Sequence, residues 1–144
     1  MCLGRSLWLA KNRLARIGFD RVVGYIQAPL QVLLDNMDKV TPASRLSAAD
    51  FTQRQESIAG LQVVDVRNPG EVSVGTIGDA IAIPVGQLPT RLGELDPAAP
   101  TVVFCAGGYR SSVAASVLRQ AGFSDVSDLL GGYGAWVERV HATV

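Results

Sequence analysis

A cysteine followed five positions later by an arginine is the feature of this sequence best suited to covalent chemistry. Cys105 ends the apolar run "TVVFC", and Gly107 and Gly108 lie between it and Arg110. Glycines let the backbone curl until consecutive N–H groups face inward and form a site for an anion. Such a site favours a thiolate over a thiol, so the pattern predicts a nucleophilic sulfur.

The predicted elements on either side of this cysteine support the same interpretation. "TVVFC" (101–105) is typical of a buried strand, and a helix is predicted over about 112–121, capped by Ser111 or Ser112. The helix dipole supplies about half a positive charge, and Arg110 would add a full one. In such surroundings thiol pKa values fall from about 8.5 to roughly 3.5–7.5. The predicted inward face of the helix consists of Ala114, Val117, Leu118 and Ala121.

Strands and helices are predicted to alternate along the whole chain. Besides 101–105, apolar runs predict strands over 20–26, 61–66, 80–85 and 126–130. An N-terminal helix is predicted from the spacing of Leu7, Ala10, Leu14 and Ile17, and Gly18 would close it. Further helices are predicted over 28–37, over about 48–56, over part of 88–95 and near Tyr133. Ser47 and Asp50 have the spacing of a capping box for the helix at 48–56. Alternation of this kind requires crossover connections, which predicts an α/β fold with a parallel sheet.

A weak internal repeat predicts how the chain is divided. With a shift of 104 residues, "RLARIGFDRVVGYIQAPLQVL" aligns with "VLRQAGFSDVSDLLGGYGAWV". We therefore expect residues 1–37 to be the truncated remnant of a preceding copy, 38–43 to be a linker and 44–144 to form the main domain. The alternative is that any amphipathic helix followed by a strand would align as well. One strand and two helices bury too little for a core, so this segment must pack on the main domain, pair with another chain or stay mobile. Dimerisation or domain exchange through it is one of these outcomes.

Composition excludes several classes of function. The chain has 144 residues, of which 48% are hydrophobic, and its 13 basic side chains balance 13 acidic ones, so neither nucleic acid nor an anionic membrane is an expected partner. Cys2 and Cys105, with the single histidine His141, predict neither a disulfide framework nor a zinc site. Two cysteines without a disulfide framework favour a reducing, cytoplasmic location. No apolar stretch reaches membrane-spanning length, and we expect no cofactor.

Four motifs resemble those of the rhodanese, or sulfurtransferase, family over roughly 44–140. In family order they are "VVDVRNPGEV" (63–72), "GTIGDAIAIP" (75–84), "CAGGYRSS" (105–112) and "DLLGGYGAW" (128–136). The resemblance implies a doubly wound, five-stranded parallel sheet with helices on both faces. It also implies that Cys105 takes the outer sulfur of a donor such as thiosulfate or a persulfide and passes it to a thiol or to cyanide.

The resemblance assigns roles to further residues. Cys105 and Arg110 would be catalytic, and the cradle for the persulfide would consist of Ala106, Gly107, Gly108, Tyr109 and Ser111. Asp65 and Arg67 match the first motif, and we interpret them as an ion pair or turn brace beside the site. Glu71 is interpreted as structural. The second motif departs from the family pattern, because Thr76, Gly78 and Asp79 replace its usual histidine, proline and glycine.

The N-terminal segment has a resemblance of its own. "NRLARIGFDRVVGYI" resembles the end of a rhodanese-like domain that lies between a metallo-β-lactamase-type persulfide dioxygenase and a C-terminal rhodanese. This chain would then be the tail of such a fusion, or a relative that lost the front. Cys2 is expected to be non-catalytic, because its spacing from Arg5 is wrong and no strand precedes it.

Two other functions fit parts of the pattern. Cysteine-dependent phosphatases place five residues between cysteine and arginine, whereas four separate Cys105 from Arg110, and no acidic residue is evident near the loop to protonate a leaving group. A non-catalytic rhodanese-like module that binds a partner or senses redox state would usually lack the cysteine. The sequence identifies neither the physiological donor nor the acceptor, and it does not establish the oligomeric state.

Overall fold

The chain consists of two units. The computed structural model describes residues 3–15, 21–40 and 42–142. It divides the chain into Met1–Thr41, here the N-terminal unit, and Pro42–Val144, here the C-terminal unit. The division falls inside the segment 38–43 that the sequence predicts to be a linker.

The N-terminal unit is helical. Its elements are α1 (Leu3–Ala15), α2 (Pro29–Leu34) and a 3₁₀ turn (Met37–Lys39). The prediction of a strand over 20–26 is wrong for the described residues 21–26, which are irregular and pair with no described strand. An extended segment without a neighbour leaves its N–H and C=O groups without ladder partners. Cys2, Ile17 and Gly18 lie outside the described residues.

The C-terminal unit contains a five-stranded sheet. The strands are β1 (Ser44–Leu46), β2 (Gln62–Asp65), β3 (Ile81–Ala82), β4 (Thr101–Phe104) and β5 (Val126–Leu129). Their order across the sheet is β1-β5-β4-β2-β3, and every neighbouring pair is parallel. The predicted doubly wound parallel sheet is therefore confirmed.

Helices and 3₁₀ turns connect these strands: α3 (Ala48–Ser57), α4 (Pro69–Val72), the 3₁₀ turns at Leu88–Thr90 and Leu92–Glu94, and α5 (Tyr109–Gln120). A further helix, α6 (Gly132–Ala142), follows β5. The capping box predicted for α3 is confirmed, since Ser47 and Asp50 bond reciprocally to each other's backbone N–H groups.

The start of α5 differs from the prediction. The helix begins at Tyr109, three residues earlier than 112, and its N-cap is Gly108 rather than Ser111 or Ser112. Gly108 has φ +98°, a left-handed conformation that a glycine adopts without steric cost. The two serines lie inside the first turn and donate their hydroxyls back to the carbonyls of Gly108 and Tyr109. This shift places the N-terminus of α5 directly beside the cysteine.

Two apolar clusters bury the two faces of the sheet. Alternate residues of β4 and the position after it point to opposite faces, as a strand requires. Val103 and Cys105 belong to the cluster that includes Ala114, Ala115 and Leu118 of α5. Val102 and Phe104 belong to the other cluster, which includes Phe51 of α3 and, packed against it, Trp136 of α6. The prediction that Ala121 belongs to the inward face of α5 is wrong, because Ala121 is exposed and lies beyond the end of the helix.

Candidate active site

Cys105 lies one residue beyond β4, at the carboxyl edge of the sheet. The residue is 1% exposed. The backbone N–H of Gly108 donates to its Sγ at 3.1 Å. Burial by itself raises the pKa of the Cys105 thiol. Hydrogen bonds from the Ser111 hydroxyl and from the amides of Ser111, Gly108 and Gly107 outweigh that effect, so the pKa of Cys105 is lower than the ordinary value.

The Ser111 hydroxyl is positioned to respond to the charge of the sulfur. In the thiol form Cys105 donates to Ser111 Oγ over 3.6 Å, while Ser111 donates to the Gly108 carbonyl over 3.1 Å. When Cys105 ionises, it no longer donates, and the hydroxyl proton of Ser111 can turn toward Sγ. Ser111 is fully buried, so this hydrogen bond acts in surroundings where water does not compete.

The N-terminus of α6 holds the loop carbonyls away from the sulfur. The N–H of Tyr133 donates to the Cys105 carbonyl at 2.7 Å, and the N–H of Gly134 donates to the Ala106 carbonyl at 3.2 Å. With these two carbonyls occupied, the amides that follow are free to face Sγ. Gly132 has φ +58°, and a Cβ there would lie 2.1 Å from the Cys105 carbonyl oxygen. Sequence reasoning assigned no site role to Gly132, although the glycines of "GGYG" mark the segment.

The positive charge of Arg110 is paired rather than free. Its Nη1 and Nη2 donate to the two carboxylate oxygens of Glu71 at 2.6 and 2.7 Å. The Arg110 guanidinium and the Asn68 backbone N–H lower the pKa of Glu71 to about 2. Hydrogen bonding to Glu71 raises the pKa of Arg110, and the charge of Cys105 adds to that effect. The expectation that no acidic residue lies near the loop is wrong, because Glu71 comes from α4, 39 positions earlier in the chain.

Asp65, the last residue of β2, forms a buried ion pair with Arg67. Arg67 Nη2 lies 2.6 Å from Asp65 Oδ2, with the two side chains 3% and 0% exposed. The same guanidinium donates to the Gly75 carbonyl at 2.7 Å and lies 4.1 Å from the centre of the Tyr133 ring. Thr76 completes the network by donating to Asp65 at 2.8 Å. This geometry favours a brace that joins the end of β2 to the segment before β3 and to α6. Thr76, a departure from the family motif, supplies one of its hydrogen bonds.

The remaining predicted loop residues form the outer surface of the site. Ala106, Gly107 and Tyr109 are exposed, whereas Gly108 and Ser111 are buried. The loop therefore has a polar inner side that faces the sulfur and an outer side that faces solvent. Across residues 3–15, 21–40 and 42–142 there is no group of three or more histidine, cysteine, aspartate or glutamate side chains that could hold a metal ion.

A cavity of about 310 Å³ borders α4 and β3. Its lining residues are Arg67, Pro69, Val72, Ser73, Ala82, Pro84, Gln87 and Arg91. Arg91 is engaged with Glu94 through two hydrogen bonds and with Gln87 through a third. Cys105 is not among the lining residues, so the cavity does not contain the sulfur.

The arrangement of strand, cysteine, amide loop and helix matches a known family. A family model described as "Rhodanese-like domain" matches residues 47–139, more than half of the chain. The chain belongs to the rhodanese-like domain family. The matched segment includes the cysteine loop, α5, β5 and the start of α6.

Relatives of this rhodanese-like chain have names that refer to sulfur transfer. A protein named sulfurtransferase from Allochromatium vinosum is 32% identical over 93 residues, which is 65% of this chain and 87% of the relative. A protein named thiosulfate sulfurtransferase GlpE from Pseudomonas aeruginosa is 37% identical over 92 residues, 64% of this chain and 82% of the relative. These similarities support sulfurtransferase as the general kind of activity.

A solved structure supports the fold. The crystal structure of a rhodanese-related protein from Thermoplasma volcanium superposes with a TM-score of 0.61 at 32% identity, covering 67% of this chain and 92% of that one. The predicted relation to a fusion with a metallo-β-lactamase-type domain stays a prediction. Over the described residues no helix is both long enough and apolar enough to span a bilayer.

Proposed function

We propose that this chain is a sulfurtransferase that moves a sulfane sulfur from a donor such as thiosulfate or a persulfide to a thiol or cyanide acceptor. The sulfur is carried as a persulfide on Cys105. Arg110, paired with Glu71, borders the sulfur, and the amides between Gly107 and Ser111 hold the negative charge in each half-reaction. Asp65 and Arg67 position the loop through the brace that they form with Thr76 and Tyr133.

The chemistry requires two displacements at sulfur. In the first, the Cys105 thiolate attacks the outer sulfur of the donor, and the donor's S–S bond breaks with its electron pair on the leaving group, which is sulfite when the donor is thiosulfate. In the second, an acceptor attacks the same sulfur and Cys105 leaves as a thiolate. No external oxidant is needed, because the transferred sulfur keeps its oxidation level in both displacements, and the amide loop favours the thiolate form of Cys105 that attacks.

The observation that carries the proposal is the orientation of the backbone around the sulfur. The Gly108 N–H points at Sγ, while the carbonyls of Cys105 and Ala106 are bonded to α6. Donors that converge on a position where negative charge develops, in a site closed to water, stabilise that charge without reorganising. Such a loop suits an anionic sulfur better than the neutral thiol of a structural cysteine.

The direct test is incubation of the purified chain with thiosulfate, followed by mass spectrometry of the intact protein. We expect the mass of one added sulfur atom and its removal by cyanide. Cys105→Ser should abolish the adduct, whereas Cys2→Ser should leave it unchanged. A wild-type chain that takes up no sulfur from thiosulfate, a thiol persulfide or polysulfide would contradict the proposal.

The same protein preparation separates the two other functions. Phosphatase activity would need a proton donor for the leaving oxygen, and Glu71, the acid bonded to Arg110, has a pKa of about 2 and is ionised at neutral pH. We therefore expect no hydrolysis of an aryl phosphate. A non-catalytic binding module would fail the sulfur-uptake test while remaining folded, as circular dichroism would show.

A further inference from the structure

Two arginines border the cysteine loop, and each is paired with a carboxylate. Arg110, in the first turn after the loop, donates from both terminal nitrogens to Glu71 at 2.6 and 2.7 Å. Arg45 has its Nη2 4.0 Å from the position that a Cβ on Gly108 would take, and it is bonded to Asp128. Because each guanidinium has its own counter-charge, neither adds net positive charge beside the sulfur.

Of these two carboxylates, Glu71 is the one that a molecule in solvent can approach. Its side chain is 34% exposed, whereas that of Asp128 is 2% exposed. The Glu71 carboxylate is also fixed in place, because the backbone N–H of Asn68 donates to Oε2 at 3.1 Å in addition to the two bonds from Arg110. Its pKa of about 2 keeps it ionised at neutral pH. An exposed pair of fixed, opposite charges thus lies beside the loop.

The depth of the sulfur determines which part of a donor stays near this pair. Cys105 is 1% exposed, so the outer sulfur of a donor enters the loop while the charged remainder stays outside. The loop amides are dipoles without net charge, and the pair of Arg110 and Glu71 has none, so the charge of the attacking thiolate is left uncompensated. Its repulsion of a donor grows in proportion to the charge of the donor. A dianion is therefore at a disadvantage against a monoanion.

We propose, resting on the proposed function, that Glu71 is a specificity-determining residue that selects the sulfur donor by its charge. By cancelling Arg110, its carboxylate favours donors with a single negative charge, such as a thiosulfonate or the anion of an alkyl persulfide, over a dianion such as thiosulfate. Without that carboxylate, the guanidinium would offset the thiolate, and a dianion would lose its disadvantage. This role differs from that of a structural brace, since it depends on the charge of Glu71 and on that of the donor.

Thiosulfate and methanethiosulfonate form a matched pair of probes, because a methyl group in the second replaces one charged oxygen of the first. Cys105 attacks the outer sulfur of either donor and forms an S–S bond to it. The bond from that outer sulfur to the oxidised sulfur breaks, and its electron pair leaves on sulfite or on methanesulfinate. The persulfide formed on the protein is the same, so the two reactions differ only in donor charge and leaving group.

The experiment measures the loading of the full chain by each donor, followed by mass spectrometry of the intact protein at sub-saturating donor. The quantity compared is the thiosulfate rate constant divided by the methanethiosulfonate rate constant, from about 0.02 M to about 0.5 M salt. Any change in the Cys105 pKa cancels in this ratio, because the same thiolate attacks both donors. For the wild-type chain we expect the ratio to rise with salt, since salt screens the larger repulsion of the dianion. A wild-type ratio that is constant or falls with salt would overturn the proposal.

Three variants test the charge of Glu71. Glu71→Gln should raise the ratio about fivefold at low salt and make it independent of salt, because Arg110 then offsets the thiolate. Glu71→Asp, which keeps the charge, should retain the wild-type ratio and its salt dependence. The matched control is Glu94→Gln, since Glu94 accepts two hydrogen bonds of the same kind from Arg91 on the turn before β4, and it should keep the wild-type ratio. A wild-type ratio in Glu71→Gln, or an equal change in the control, contradicts the assignment.

Further outcomes separate this inference from the proposed function. If circular dichroism shows that Glu71→Gln does not fold, Arg110→Ala replaces it. The unpaired Glu71 should then lower the ratio at low salt and steepen its rise with salt, and an unchanged ratio would overturn the proposal. An equal acceleration of both donors by Glu71→Gln, or loading from a thiol persulfide but from neither probe, contradicts this inference alone. A wild-type chain that takes up sulfur from neither probe, nor from a thiol persulfide or polysulfide, contradicts both.

Discussion

At the scale of single residues, the pairing of Arg110 with Glu71 changes what the arginine contributes. The two side chains are 29% and 34% exposed, so the pair lies at the mouth of the site rather than beneath it. A guanidinium matched by a carboxylate has little net charge at the distance of the sulfur. Burial raises the pKa of Cys105, and the hydrogen bonds from Ser111 and the loop amides lower it below its ordinary value.

This pairing predicts a specific pattern in a double-mutant cycle. Arg110→Ala leaves the Glu71 carboxylate alone beside the sulfur, so it should raise the pKa of Cys105 and slow sulfur uptake about tenfold, the strength of one charged hydrogen bond. Glu71→Gln should lower the pKa of Cys105, since it leaves the guanidinium unpaired. The double variant Glu71→Gln, Arg110→Ala should behave nearly as wild type. The measurement is the rate of iodoacetamide alkylation against pH, and its midpoint should move in these directions.

The free energy of unfolding of the single variant Glu71→Gln gives an independent test of the pair. The pKa of Glu71 falls from its ordinary 4.5 to about 2 in the folded chain. Its ionised form therefore stabilises the fold above about pH 4.5, and that contribution is lost as the pH falls toward 2. Glu71→Gln should reduce the free energy of unfolding at neutral pH and approach wild type in acid. A difference that grows in acid, or an Arg110→Ala alkylation profile that matches wild type, would show that the pair has no such role.

Sequence reasoning reached Cys105 and its loop, Ser111 included, but not the pairing of Arg110 with Glu71. The cysteine, the glycines and the arginine are adjacent in sequence, so their spacing alone indicates a local cradle. Glu71 is separated from Arg110 by 39 positions and becomes a neighbour only when α4 and α5 meet at the sheet edge. Ser111 was expected both as a possible helix cap and as part of the cradle, and its contact with the sulfur depends on the helix starting at Tyr109 rather than at 112.

At the scale of elements, the junction between the cysteine loop and α6 makes the site sensitive to one glycine. A Cβ at Gly132 would lie 2.1 Å from the Cys105 carbonyl oxygen and 2.8 Å from the Ala106 carbonyl carbon, and φ is +58°. We expect Gly132→Ala to lower the free energy of unfolding by about 2 kcal/mol or more through backbone strain and displacement of the loop. Sulfur uptake should fall more than stability alone explains, because the carbonyls that α6 holds would be released toward the sulfur.

The control for this prediction lies two residues further along. A Cβ at Gly134 would be 3.6 Å from the Ala106 carbonyl oxygen, an ordinary contact, and φ there is not positive. Gly134→Ala should keep sulfur uptake and leave stability equal or higher by up to about 1 kcal/mol, the helix preference of alanine over glycine. Urea denaturation and thiosulfate loading measure both variants. Normal loading by Gly132→Ala at full stability would refute the role assigned to the junction.

The elements themselves were predictable to different degrees, for physical reasons. β2 and β4 contain the β-branched apolar pairs Val63–Val64 and Val102–Val103, and a buried parallel strand has that signature. β5 is buried as well, although it contains Ser127 and Asp128. β1 was missed because it has only three residues and a single neighbour, β5, which supplies its partners. The run at 21–26 has the composition of a strand but pairs with no described strand. Composition alone does not show whether a strand has a neighbour.

At the scale of the whole molecule, every strand pair and both core clusters lie in the C-terminal unit. The N-terminal unit instead has many exposed apolar side chains among its described residues. Those more than half exposed are Trp8, Val23, Tyr25, Ile26, Leu30, Leu34 and Met37. With the shift of the internal repeat, α1 aligns with 107–119 and α2 with 133–138, close to α5 and α6. A truncated copy remains the predicted origin of this unit. A homodimer formed through this unit also remains a prediction.

Deleting residues 1–41 tests this division of the chain. The fragment 42–144 contains the complete sheet, its two cores and the cysteine loop, so we expect it to unfold cooperatively on heating and to load sulfur from thiosulfate at the wild-type rate. The reason is that none of the hydrogen bonds described around Cys105 comes from outside this fragment. Differential scanning calorimetry and mass spectrometry measure the two properties.

The same deletion bears on the homodimer. If the N-terminal unit covers its apolar side chains by contact with a second copy, sedimentation velocity should find a dimer for the full chain and a monomer for 42–144. Replacing Val23 and Ile26 by serine in the full chain should weaken that dimer without affecting sulfur uptake, since the loop lies in the other unit. A full chain that is monomeric at all concentrations would refute the dimer, and a fragment 42–144 that fails to fold would show that the sheet unit depends on the helices that precede it.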